Sequence, residues 1–104
     1  IIAATISYID ENLTENLSIQ DITHSTGISK SSLYKNFKQQ FNCTPGEYIN
    51  RQRASRSASM LLYSDYSIDE IAERTGFSSA SYYSKIFKKV YGISPLKYRK
   101  TKSG

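Results

Sequence analysis

Apolar residues near the start of the chain recur at every third or fourth position, at Ile2, Ile6, Ile9 and Leu13, which is the period of one buried helical face. That spacing predicts a first amphipathic helix ending between Asn12 and Asn16. Shorter, strongly punctuated stretches follow. Ser18-Ile-Gln-Asp21 and Ser67-Ile-Asp-Glu70 each set a hydroxyl three residues before an acid, so each opens a short helix with a reciprocal cap on its first turn. Gly27 and Gly76 stop those helices, because glycine enters a left-handed turn without steric cost. Ser29 and Ser78 are placed to cap a second helix in each stretch. Leu33, Phe37 and Phe41 are expected inward on one of these helices, and Tyr83, Phe87 and Val90 on the other; they end at Asn42 and Gly92. Thr44-Pro45-Gly46-Glu47 is another capping box with proline at the first helical position, and Ser94-Pro95 repeats the start without the acid.

Between these stretches a long segment runs from Pro45 to about Ser64, with Tyr48, Ile49, Ala54, Ala58, Leu61 and Leu62 as its apolar stripe and no Pro or Gly after Gly46. A helix of that length spans roughly 30 Å, close to the roughly 34 Å between successive major-groove faces of B-form DNA. It could set two groove-reading elements one turn apart. Tyr63 to Ser67 then reads as a short polar turn.

The pattern is a repeat. Ser18, Asp21, Ile22, Gly27, Ser29, Phe37, Phe41, Thr44, Pro45 and Tyr48 are answered by Ser67, Glu70, Ile71, Gly76, Ser78, Phe87, Tyr91, Ser94, Pro95 and Tyr98. The offset grows by one past Ser78, which predicts an extra residue near Tyr82 or Tyr83. Each copy reads as a helix-turn-helix. The expected organisation is all-α: a first helix-turn-helix subdomain over 1–44, a linking helix over 45–64 and a second subdomain over 65–104.

Length restricts what else the chain can hold. Its 104 residues suffice for a modest core but not for a separate catalytic domain. The first residue is Ile rather than Met, so a piece of a longer or processed protein is expected. No 18-residue apolar run and no secretory pattern is present, and a single Cys43 fits a reducing cytoplasm. The only histidine, His24, cannot assemble a metal cluster or a catalytic triad, and Cys43 matches Ile93 in the other copy, which makes it a small hydrophobe. No catalytic, metal or cofactor site is expected. The nine tyrosines could stack on single strands, but most are expected at core positions of the repeat.

Charge placement says more than the net +5. Residues 1–27 carry only acids, residues 28–64 carry six cations against Glu47, residues 65–76 return to acid apart from Arg74, and residues 85–102 hold seven cations and no acid. In each copy the acids lie on the leading helix and the cations on the trailing one, as an approach to phosphates requires.

The second copy resembles a known signature. Ile71-Ala72-Glu73-Arg74-Thr75-Gly76-Phe77-Ser78-Ser79, then Tyr82-Tyr83-Ser84-Lys85-Ile86-Phe87-Lys88-Lys89, then Gly92-Ile93-Ser94-Pro95 and Tyr98-Arg99, look like the C-terminal signature of AraC/XylS-type bacterial transcription regulators. The likeness extends over nearly the whole chain. It implies seven helices, with the second helix of each unit lying in adjacent major grooves of double-stranded DNA. It further implies an activator working beside RNA polymerase, and an effector-binding or dimerisation domain ahead of these residues.

Candidate contacts follow from the helix faces. In the first unit the stripe of Leu33 and Phe37 leaves Lys30, Ser31, Tyr34, Lys35 and Lys38 opposite the core, and the resemblance places base-edge contacts at Ser31, Tyr34 and Lys35. In the second unit the matching face is Ser79, Ala80, Ser81, Tyr82, Ser84 and Lys85. Lysine can donate to guanine, serine can pair with several bases, and Ala80 can meet a thymine methyl. The short chains at Ser31, Ala80 and Ser81 leave a share of recognition to DNA shape and water. Phosphates are expected at the helix starts around Thr44-Pro45 and Ser94-Pro95, with Lys97, Arg99 and Lys100 nearby. Arg53 falls near the apolar stripe, where it could brace the core; Arg51 and Arg56 could face solvent or DNA. The alternative from another class is a helical protein-interaction module that contacts a polymerase subunit or a sensory domain and has only nonspecific DNA affinity.

Overall fold

The computed structural model describes residues 2–103, and among them there are seven helices and no strand. They are α1 (Ile2–Glu11), α2 (Ile19–Thr26), α3 (Lys30–Phe41), α4 (Pro45–Tyr63), α5 (Ile68–Arg74), α6 (Ala80–Tyr91) and α7 (Pro95–Ser103). Packing divides the chain into two compact units, Ile1–Asn50 and Arg51–Gly104. The division falls inside α4, whose Ile49 joins the core of the first unit while Ala54, Ala58 and Leu61 join that of the second.

In the first unit Ile9, Leu13, Ile22, Leu33, Phe37 and Ile49 form the buried centre. Helix α1 stops at Glu11, slightly before the expected range, because Asn12 turns its side-chain amide back to the Tyr8 carbonyl at 2.8 Å; a local side-chain bond of this kind competes with the next helical turn. Leu13 is still buried beyond the helix end. Ser18 and Asp21 form the reciprocal cap of α2: the Ser18 N–H donates to Asp21 Oδ2 at 3.1 Å and the Asp21 N–H donates to Ser18 Oγ at 3.0 Å. Thr44 and Glu47 do the same for α4, at 2.9 and 3.1 Å.

In the second unit Ala54, Ala58, Leu61, Ile71, Ala72, Phe77, Tyr83 and Phe87 are buried together. Ser67 and Glu70 cap α5 reciprocally at 3.0 and 3.1 Å. At the end of α4 the Ser64 hydroxyl donates to the Met60 carbonyl at 2.6 Å, Arg99 Nε to Leu61 at 3.0 Å, Arg99 Nη2 to Ser64 at 3.3 Å and Lys102 Nζ to Leu62 at 2.9 Å. Helix ends leave carbonyls without partners, and two cations there also oppose the negative end of the helix dipole. Through these bonds α7 is fastened to α4 across more than thirty residues of sequence.

The two copies share one aromatic device. Phe37, Phe41 and Tyr48 meet with ring centroids 4.9–5.4 Å apart, and fifty residues later Phe87, Tyr91 and Tyr98 meet at 4.5–5.5 Å. Phe41 is nevertheless 38% exposed and Tyr91 37%, so the inward placement expected for Phe41 is only partial: it lies at the rim, in the last turn of α3. Val90 is not inward, being 40% exposed, because Tyr91 takes the place next to Phe87 and turns its neighbour outward. The tyrosines are also less buried than the repeat suggested. Tyr83 alone is fully enclosed, while Tyr34, Tyr63, Tyr82 and Tyr91 are exposed.

Replacing Arg99 with Met keeps the apolar stem and removes the donors; a loss of about 1–3 kcal/mol is expected in urea denaturation, against about 0.5 kcal/mol or less for Lys100→Ala at an exposed position. The capping carboxylates make stability pH-dependent. Acceptance of the Ser18 and Ser67 backbone N–H bonds holds Asp21 below its ordinary 3.8 and Glu70 below its ordinary 4.5. Their contribution is therefore complete at neutral pH and is lost as pH falls below the ordinary carboxylate range through the depressed folded values. The double variant Asp21→Asn/Glu70→Gln should show a flatter fall of thermal midpoint with acidification, followed by circular dichroism.

Candidate nucleic-acid interface

Each unit positions its second helix with a tight turn, and the two turns differ. In the first, the Gly27 N–H returns to the Thr23 carbonyl at 2.9 Å with φ at 74°, and Ser29 two residues on caps α3 by accepting from the Ser32 N–H at 3.2 Å. In the second, the Gly76 N–H bonds Glu73 at 3.2 Å and the Phe77 N–H bonds Ala72 at 2.9 Å, the paired closure in which the residue after the glycine also returns to the helix. Phe77 is thereby drawn into the core, and one further residue is needed before the next helix can start. Ser79, not Ser78, is the cap, accepting from the Tyr82 N–H at 3.0 Å. The extra residue thus lies in the turn between Gly76 and Ser79 rather than near Tyr82 or Tyr83.

From the caps onward the copies run fifty apart, with Ser29 matching Ser79 and Asn42 matching Gly92; both latter residues are left-handed, at φ 55° and 84°. Lys38 therefore matches Lys88, an exposed cation that periodicity alone did not single out and that the fifty-residue offset identifies.

Leu33 and Phe37 are fully buried under α3, and Tyr83 and Phe87 under α6. This fixes the opposite faces. Lys30, Ser31, Tyr34, Lys35 and Lys38 are all exposed on α3; on α6 Ser81, Tyr82, Lys85 and Lys88 are exposed, with Ala80 and Ser84 half-buried. Ser79 is exposed, but its hydroxyl is engaged as the cap. Lys97 is exposed and its N–H donates to Ser94 Oγ at 3.2 Å. Arg99 is half-buried with its guanidinium on the Leu61 and Ser64 carbonyls, which makes it a brace of α4 before anything else.

Tyr34 is the centre of the α3 face. Lys30 holds its ammonium 5.9 Å from the Tyr34 ring centroid. A hollow of about 270 Å³ lies between Lys30, Ser31 and Tyr34, and another of about 360 Å³ is lined by Tyr34, Lys35, Lys38, Asn42, Cys43, Thr44 and Glu47. Cys43 is buried, as its match to Ile93 implied. Beside α6, Arg53 is half-buried; that burial pulls its guanidinium below the ordinary value, opposed by the Tyr82 phenol close by. Among the described residues no cluster of His, Cys, Asp and Glu could hold a metal ion, and no helix is long and apolar enough to cross a membrane.

Comparison with known proteins gives a consistent picture. The family model described as a helix-turn-helix domain matches residues 22–101. The chain is 39% identical over 85 residues to the probable transcription factor PqrA of Proteus vulgaris, covering 82% of this chain and 70% of that protein. It is 34% identical to the regulatory protein PocR of Salmonella typhimurium, over 90% of this chain but 31% of that protein. The chain spans about a third of the length of several curated regulators it matches. Among solved structures, the C-terminal domain of AraT, a response regulator from Geobacillus stearothermophilus, superposes with a TM-score of 0.90 at 29% identity, covering 96% of this chain and 84% of that one. The DNA-binding domain of AdpA, solved in complex with a target DNA, gives 0.88 at 27% identity over 95% and 89%.

Tyr83 anchors α6 from inside; burial pushes its phenol up to about 12, opposed by the nearby Ser57 hydroxyl and Arg99 charge, and the buried hydroxyl finds no partner at full hydrogen-bonding geometry. Tyr83→Phe is expected to leave stability unchanged or raise it by up to about 1 kcal/mol, because it removes an unsatisfied polar atom and keeps the ring. Urea denaturation measures this directly.

Proposed function

We propose, from the premise that this chain belongs to the AraC/XylS-type family of helix-turn-helix transcription regulators, that its α3 and α6 faces contact double-stranded DNA and that each enters a major groove. The observation that carries this reading is the duplicated capped helix whose core-facing stripe leaves Lys35 and Lys38 in one copy, and Lys85 and Lys88 in the other, on the outward face, with Lys30 exposed in the first turn of α3. A helix presented in this way is what a groove about 12 Å wide admits. Exposed lysines on and around it supply the sequence-independent attraction to phosphates, and the polar groups between them supply selection among bases.

The residues proposed for contact are Lys30, Ser31, Tyr34, Lys35 and Lys38 on α3, and Ala80, Ser81, Tyr82, Ser84, Lys85 and Lys88 on α6, with Lys97 at the start of α7 on the backbone. Arg99 is left out because its Nε and Nη2 donate to the Leu61 and Ser64 carbonyls, and Ser79 because its hydroxyl caps α6. Binding by one chain to adjacent groove segments, activation beside RNA polymerase, action in the bacterial cytoplasm and dimerisation through a domain ahead of these residues belong to the same proposal. Activation is supported by a 30% identical relative, the lactose operon transcription activator of Staphylococcus xylosus.

Selection of duplexes from a random library, with competitor DNA at near-physiological salt, is expected to enrich a motif. Failure to enrich any sequence would favour a protein-interaction role. Lys97→Ala should weaken binding to all sequences alike and reduce the slope of log affinity against log salt by about one unit, measured by fluorescence anisotropy across a salt series.

A further inference from the structure

Resting on that DNA-binding reading, we infer that the two units divide the work: the first unit reads bases through α3, and the second grips the sugar-phosphate backbone and responds to DNA shape. The fifty-residue register set by the Ser29 and Ser79 caps makes the comparison position by position. Base-edge contacts come from the first turns of a recognition helix. There α3 presents Lys30, Tyr34 and Lys35, all exposed, while α6 presents Ala80, Ser84 and Lys85, the first two half-buried. Two of three long polar side chains are thus replaced by short ones. A serine or alanine at the same helix depth reaches a base edge only through water or by closer approach of the backbone, so direct readout is lost there. The other long group of α6, Tyr82, stands where α3 has Ser32; it lies against Phe77 at 6.2 Å between centroids and beside Arg53.

Charge is divided in the same way. Within residues 1–50 every lysine lies on α3 and there is no arginine, the remaining charged side chains apart from His24 being acids. The cationic side chains of unit 1 are therefore confined to the helix that reads DNA. In the second unit cations extend over α6 and α7, with Lys88, Lys89, Lys97 and Lys100 exposed and no acid between residues 85 and 102. A broad cationic surface behind a short-chained helix face follows the phosphates whatever the sequence.

Matched double variants at exposed positions fifty apart test the division. Ser31→Ala/Lys35→Ala and Ser81→Ala/Lys85→Ala are compared with the parent chain on the duplex selected by the parent and on a random duplex, after circular dichroism shows that both variants are folded. The α3 double is expected to lower the ratio of selected to random affinity by about tenfold or more. The α6 double is expected to weaken both duplexes by a common factor of about three to ten and leave the ratio intact. An equal or larger fall of the ratio in the α6 double overturns the division while leaving the DNA-binding reading standing. A parent chain that does not distinguish selected from random duplexes overturns both.

Discussion

Six of the seven helices are twelve residues or shorter, a length at which an isolated helix is marginal in water. Everything else in the structure depends on how their ends are satisfied. Ser18, Ser29, Thr44, Ser67, Ser79 and Ser94 each accept an N–H from the first helical turn, and left-handed residues at Gly27, Asn42, Gly76 and Gly92 follow four of the helices. Each cap both stabilises a short helix and fixes the residue at which it starts. Because a helical side chain turns by about 100° per position, the starting residue decides which groups point to the core and which away from it.

That dependence links the turns to function. In both units a leading helix with a reciprocal Ser–acid cap packs under a trailing helix whose buried pairs, Leu33 with Phe37 and Tyr83 with Phe87, lock its rotation. The aromatic triads at the far ends, Phe37-Phe41-Tyr48 and Phe87-Tyr91-Tyr98, hold each trailing helix against the helix that follows. A rigid, rotationally fixed helix is the requirement for presenting Lys35 or Lys85 at a defined place, since looseness of about an ångström removes most of the gain from a directed contact.

Charge adds direction to this scaffold. Acids stand at the N-terminal turns of α2, α4 and α5, where the helix dipole favours them, and lysines occupy the outward faces and last turns of α3 and α6. The same placement that relieves the helix ends also sorts positive from negative surface. Arg99 and Lys102 show the limit of reading function from charge: both belong to the basic C-terminal run, and both have donors engaged by carbonyls of the last turn of α4.

Legible in the chain alone were the helices, their order, the caps at Ser18, Ser29, Thr44, Ser67 and Ser94, the left-handed exits at Gly27 and Gly76, the helix ends at Asn42 and Gly92, and the outward face of α3, because these follow from hydrogen bonding and periodicity within a few residues. Tertiary structure decided what depended on distant partners. Burial of Phe77 beside Ala72 closed the second turn in a different way, moved the α6 cap from Ser78 to Ser79 and located the extra residue of the repeat. Packing of Tyr91 with Phe87 and Tyr98 turned Val90 outward. Proximity of the end of α4 to α7 converted Arg99 from a free cation into a helix cap. In each case the deciding energy was the burial or satisfaction of a group by a residue that its local sequence does not reveal.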